Sequence, residues 1–154
     1  MSVIEDTHSV PGRRTTIYPA PFNDGFERRY KRPLTEVLRL TQFGVNLTTL
    51  EPGGCSSLRH WHAVEDEFVF VLTGTLILVT ETGRAVLTAG AAASFPAGEA
   101  DAHQLINEGP DPATYLEVGT RAQSDDVIYA DVDLLAQKRE GKFQFFRKSG
   151  EPSP

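Results

Sequence analysis

The strongest constraint on this chain is a pair of histidines, His60 and His62, one residue apart in the run RHWHAVEDEFVFVLTG. Side chains of a β-strand alternate between its two faces, so residues i and i+2 point the same way. In a strand both imidazoles converge on one point, while Arg59 and Trp61 face the other side. The chain has four histidines, His8, His60, His62 and His103, and half of them form this pair. A neutral imidazole is the commonest metal ligand, and a carboxylate is a good third one. Glu67 follows five residues after His62. Glu65 or Asp66 could take its place if the loop runs differently. The segment therefore reads as part of a metal-binding β-protein. Each residue alone also has a plainer use. The histidine pair could sit on a surface strand, the acid in a solvated loop, and His103 in a core hydrogen bond.

The surroundings are β-like. From Glu36 onward short runs alternate with turns: VLRLTQFGVNLTTL and EPGG, EFVFVLTG into TLILVT, ETG into RAVLTAG, the break SFPAG, HQLIN, EGPDP and ATYLEVGT. Turns every 8 to 12 residues predict a β-sandwich or barrel. VDLLAQK fits a short strand or a helical turn, KREGK and FQFFRK a turn and a last strand, and SGEPSP a frayed end. Residues 1–33, rich in Pro, Gly and Arg, predict an extended arm that packs on the body or on a partner. Its basic cluster, Arg28, Arg29, Lys31 and Arg32, reads as a solvated face. The expected organisation is an arm over 1–33, a barrel over 34–120 and an extension over 121–154 that packs on the barrel.

Two motifs carry a resemblance. Gly54, His60, His62, Glu67 and Gly74 fill every fixed position of G-x5-H-x-H-x3/4-E-x6-G, the first motif of the cupin superfamily. Gly90, Pro96, Gly98, His103 and Asn107 follow the second, G-x5-P-x-G-x2-H-x3-N, except that four residues separate Gly98 from His103 instead of two. The chain resembles small single-domain cupins of the sugar-phosphate-isomerase-like type. That resemblance implies an all-β fold, the cupin double-stranded β-helix or jelly-roll barrel, with an N-terminal arm and a C-terminal hairpin. It also implies that His60, His62, Glu67 and His103 bind one divalent metal ion per chain. Three imidazole nitrogens and one carboxylate leave positions open on the ion, and iron, manganese, nickel, cobalt and zinc all accept such ligands.

Strand parity gives a map of the barrel interior. Val69 and Val71 share the face of Glu67, and Leu105 and Asn107 share that of His103, which suggests an apolar floor. Asn46 with Thr48, or Tyr115 with Glu117, could line the pocket or lie exposed. Between Leu34 and Thr120 the only basic residues are Arg39, Arg59 and Arg84. The barrel alone thus carries little for a phosphate, unless Arg28, Arg29 or a partner subunit closes over it.

The expected function is metal-dependent chemistry on a polar small molecule. An isomerase or epimerase would need a base such as Glu117 or Tyr115, and a dioxygenase would need iron. A metal-dependent ligand-binding protein without turnover is the alternative. A net charge of -6 argues against nucleic acid as a partner. No apolar run approaches the 18 residues of a membrane span, and the acidic start does not read as a secretory signal. With Cys55 alone there is no internal disulfide. A cytoplasmic protein is expected. By analogy it is a homodimer, with Phe68 and Phe70 on an apolar strand face.

Overall fold

The computed structural model of the protein describes residues 1–153. Its strands are β1 (Arg29–Pro33), β2 (Phe43–Leu50), β3 (His60–His62), β4 (Glu67–Thr73), β5 (Thr75–Val79), β6 (Arg84–Thr88), β7 (Ala92–Phe95), β8 (Gln104–Ile106), β9 (Ala113–Thr120), β10 (Asp125–Tyr129), β11 (Leu135–Arg139) and β12 (Lys142–Phe146). All of them pair antiparallel. One layer is a five-stranded sheet, β1-β2-β9-β4-β7. The facing layer consists of β12-β11-β10-β3 and β6-β5-β8, joined by the bridges Cys55↔Ile106 and His60↔His103. The fold is all-β, as the turn spacing predicts.

The layers are held at one end by a core of Leu50, Val71, Leu76, Leu105, Ala113 and Tyr115, each at most 2% exposed. Burying one such aliphatic side chain is worth about 1.5–3 kcal/mol. Gly74 turns the chain from β4 into β5 with φ 78°, and a Cβ there would lie 2.8 Å from Ala113. Only glycine satisfies both the left-handed backbone and the close approach.

Register decides what faces the interior. Lys31, Thr48, Tyr115 and Val71 form one row across β1, β2, β9 and β4. Pro33, Asn46, Glu117, Val69 and Ala93 form the next. Gly44, Gly119, Glu67 and Phe95 form the third. Residues directly opposite in antiparallel strands share a face, so all three rows line the interior.

Several segments depart from the sequence expectations. Residues 34–38 form a helical turn, α1 (Leu34–Leu38), not the start of a β run. Leu34 and Leu38, four apart, share a face and pack with Val10 and Leu47, and Arg39 in the left-handed conformation ends the turn. The arm packs on the body, as one of the two expected placements has it. Its last residues become β1, and Arg29 is 6% exposed. Arg29 donates to Ser56 O at 2.5 Å and to Thr15 O at 3.0 Å, so it is an internal tie and not part of a solvated face. Ala92–Phe95, where SFPAG reads as a break, pairs with β4. Tertiary pairing overrides the poor strand propensity of its alanines. The C-terminus turns back on β12: Ser153 donates to Phe145 O at 2.9 Å, and Phe146 bridges Pro152, where fraying is expected. Pro154 lies outside the described residues. No helix among the described residues is long and apolar enough to cross a membrane.

Candidate metal centre and cavity

A cavity of about 540 Å³ opens between the layers, and three histidines meet Glu67 in its wall. Strand β3 presents His60 and His62 on one face, with ring centroids 5.0 Å apart. The longer turn after Gly98 still delivers His103, because His60 and His103 exchange backbone hydrogen bonds of 3.2 and 2.8 Å. The His103 ring stacks on Phe95 at 3.5 Å. Glu67 begins β4, and Gly119 opposite leaves room for its side chain. The Nε2 atoms of His103, His62 and His60 lie 2.9, 3.5 and 3.6 Å from Glu67 Oε2.

The far side of two rings fixes their chemistry. His60 Nδ1 lies 2.8 Å from Leu58 O. A carbonyl only accepts, so Nδ1 carries the proton and the Nε2 of a neutral ring carries a lone pair. His62 Nδ1 lies 2.5 Å from Asp125 Oδ2 and donates likewise. With both rings neutral, two lone pairs point at a carboxylate oxygen, an arrangement that a cation between them would satisfy. Carbonyl and carboxylate partners behind the imidazoles are typical of metal-binding histidines. The donor set of His60, His62 and Glu67 is therefore suited to a metal ion. His103 Nδ1 is buried without a partner among the described residues.

Burial alone would raise the Glu67 carboxyl, yet the hydrogen bond from His103 and the facing His60 and His62 hold it well below the usual carboxylate range. Burial opposes protonation of His62, but the hydrogen bond to Asp125 leaves its pKa raised. Burial lowers that of His103, and Glu67 only partly offsets it. Asp125 is raised by burial but lowered on balance by His62 and by the Val64 N–H.

The two alternative acids are used elsewhere. Glu65 is 5% exposed and accepts from Lys138 Nζ and from Ala122 N–H, each at 2.8 Å. Asp66 Oδ1 accepts the Ala97 N–H at 2.8 Å. Arg59 faces outward to Asp131 and Glu81. Trp61 lines a separate small cavity behind His62 and His103. Asn107 does not belong to the pocket floor. It is 1% exposed and holds the turn through Leu50 O, Asp111 O and the Gly109 N–H. Cys55 is half-buried, and burial pushes its thiol up.

Across the cavity, Asn46, Tyr115 and Glu117 all line the wall. Glu117 Oε1 receives Lys31 Nζ at 2.5 Å and Asn46 Nδ2 at 2.9 Å, while among the described residues Oε2 meets only the Tyr115 hydroxyl, at 3.5 Å. Burial and then the Glu117 charge push the Tyr115 phenol well above its ordinary value. A phenol raised in this way suits a hydrogen-bond donor better than a base. Arg13, Arg29, Lys31 and Arg121 also line the cavity. The barrel residues 34–120 bring no cation to it, as expected; Arg29 closes over it from the arm, and Arg13, Lys31 and Arg121 add cations that the sequence reading did not foresee. Sequence reasoning also missed Asp125, because β10 has no turn signal setting it apart and its pairing with β3 is non-local.

The family model for the cupin domain matches residues 46–119. A crystal structure of a cupin superfamily sugar phosphate isomerase from Silicibacter pomeroyi is 41% identical, with TM-score 0.92, covering 97% of this chain and 95% of that one. The chain belongs to the cupin superfamily. A candidate sugar phosphate isomerase from Acidithiobacillus ferrooxidans is 27% identical, with TM-score 0.75, covering 82% of this cupin and 80% of that chain. A polyketide cyclase from Streptomyces resistomycificus, 22% identical with TM-score 0.60 over 78% of this cupin and 80% of that chain, shares the fold. No curated protein matches this cupin.

Proposed function

We propose that this cupin is a metal-dependent isomerase or epimerase of a polar small molecule that carries a hydroxyl beside a carbonyl. The observation that carries the proposal is the placement of two chemistries in one cavity. His60, His62, His103 and Glu67 converge on one side, and a carboxylate with a nearly free oxygen, Glu117 Oε2, lies on the other. The names of the Silicibacter and Acidithiobacillus proteins support the same reaction class. A divalent ion held by these four residues would supply Lewis acidity to substrate oxygens.

The remaining roles belong to the chain itself. Lys31 and Asn46 hold Glu117 Oε1 and so aim Oε2. Glu117 takes the proton from the carbon next to the carbonyl, and Tyr115 donates a hydrogen bond to Oε2. The apolar side chains Val69, Phe95 and Leu105 limit water around the reacting carbon. The exposed Phe68 on the outer face of β4 suits a second copy of the chain, and sedimentation would show a dimer.

The test is metal analysis of untagged protein beside a His60→Ala/His62→Ala control. Solvent-deuterium exchange into candidate sugars and sugar acids follows. About one zinc, manganese, nickel or cobalt ion per chain, absent from the control, is expected. Glu117→Gln should cut exchange by about 10²–10⁴-fold with metal content unchanged. One iron per chain with oxygen uptake would replace isomerisation with dioxygenase chemistry. Bound ligand without any exchange would make the protein a binding module.

A further inference from the structure

One cation in the cavity is not engaged as the others are. Arg13 is paired with Glu36 at 2.8 Å, Lys31 with Glu117, and Arg29 with two backbone carbonyls. Arg121 lines the same cavity, yet its guanidinium has no ion pair and no hydrogen bond among the described residues. Its place is built. The Arg121 N–H donates to Gln42 O at 3.0 Å, which extends the β2–β9 pairing by one step. The side chain then lies across Gly44. A Cβ at position 44 would sit 2.0 Å from Arg121 Nη2 and 2.3 Å from Cζ. Gly44 is buried, and its backbone is not in the left-handed region. Because the guanidinium is the far end of a flexible, exposed side chain, a methyl added at Gly44 would displace it without straining the backbone.

The register gives the reach of this group. Gly44 lies in the row Gly44–Gly119–Glu67, two strand spacings from Glu67. At roughly 4.8 Å per spacing, Arg121 is carried at about 10 Å from the Glu67 backbone. That span suits a substrate whose reacting carbons lie at the histidines and whose far end lies at Arg121. Arg29 lines the same cavity from the other end of β2, opposite Leu50, and its buried Nε has no partner among the described residues.

We infer that Arg121, seated over Gly44, is a specificity-determining residue that holds an oxyanion substituent, a carboxylate or a phosphate, at the far end of the substrate. The inference deepens the proposed reading of the cavity and rests on it for the identity of that substrate. A planar guanidinium binds either oxyanion through two parallel N–H···O bonds. Among the described residues no ion pair or hydrogen bond links Glu117 to Arg121; its Oε1 is held by Lys31 and Asn46 and its Oε2 meets the Tyr115 hydroxyl.

The test is a ligand-observed NMR titration at low ionic strength with inorganic phosphate, D-gluconate and neutral D-glucose. The proteins are the full chain and the Arg121→Gln, Arg121→Lys and Gly44→Ala variants, each first treated with EDTA. At least one anion should bind the wild type more tightly than glucose. Arg121→Gln and Gly44→Ala should each weaken that anion by about tenfold or more and leave glucose unchanged. Arg121→Lys should keep part of the affinity. Loss confined to phosphate names a phosphate ester, and loss confined to gluconate names a sugar acid. Unchanged anion binding in both Arg121→Gln and Gly44→Ala, with normal melting, overturns the inference. So does a wild type that binds neither anion better than glucose. Because the measurement is made without metal, a failure of metal binding at His60 and His62 would overturn that reading alone.

Discussion

The histidine cluster and the cationic side of the cavity are held by different means. Around Glu67, the imidazoles of His60 and His62 are pinned from behind by Leu58 O and Asp125, so the nitrogens that face the cavity have little freedom. On the opposite side, Arg13 and Lys31 are held only by acids that are themselves partly exposed, and Arg121 is held by none among the described residues. The first arrangement is pre-organised. In the second, Arg13 can release its charge to a ligand at modest cost, since exposed ion pairs contribute only about 0–1 kcal/mol, while Lys31 stays on Glu117. A rigid reacting end and a yielding recognition end are what a site needs if it is to accept a charged substituent without disturbing its chemistry.

The contrast can be broken most forcefully from outside the cavity. Lys138 of β11 neutralises Glu65, in the loop between His62 and Glu67, and both side chains are at most 8% exposed. Lys138→Met leaves a buried carboxylate unpaired and should cost about 3–5 kcal/mol, read by thermal or urea unfolding. Most of that loss should return in the Glu65→Gln/Lys138→Met double variant. A single variant as stable as the wild type would show that the cluster does not lean on the C-terminal sheet. Next in size is Arg29→Leu, which frees Ser56 O and Thr15 O. It should cost about 1.5–3 kcal/mol and loosen the arm, seen as faster proteolysis near Thr15.

Asp125→Asn sharpens the comparison on the rigid side. It weakens the support of His62, and about 10–100-fold lower affinity for the proposed metal is expected by equilibrium dialysis. The smallest effect is on pH. Asp125 has a depressed folded-state pKa, so its carboxylate contributes stability above the ordinary value of about 3.9 and loses it as pH falls through the lower folded value. The stability gap between metal-free wild type and Asp125→Asn should therefore narrow on acidification below about pH 4. A gap that stays constant there would sink the linkage.

The histidine side was legible because its residues are close in sequence and obey strand parity. His60, His62 and Glu67 need only one strand and one loop to meet, and His103 needs a turn whose extra residues do not disturb its bridge to His60. Parity also turned Trp61 and Arg59 outward correctly. The cationic side was legible only in the possibility that Arg29 closes over the mouth. Arg29 and Lys31 face inward only because β1 pairs with β2, and a proline- and arginine-rich run gives no local sign of that. Arg121 belongs to the cavity only because the β2–β9 register sets it over Gly44, seventy-seven positions earlier in the chain. Asp125 and Asp126 look alike in sequence, but strand alternation buries the first and leaves the second partly exposed. The short helix at Leu34–Leu38 was hidden by apolar residues that suit either period.

The bridge between His60 and His103 has a mechanical consequence. It is the seam where the β3 sheet meets the β8 sheet, and the third and fourth members of the cluster, His62 and Glu67, lie on either side of the adjoining loop. An ion held there would join positions 60 and 103 in the folded chain alone, and would stabilise it by binding the folded state and not the unfolded one. Occupancy of the site would then be felt throughout the barrel as resistance to the parting of its layers, and amide exchange along β3 and β8 would slow together when the ion is added.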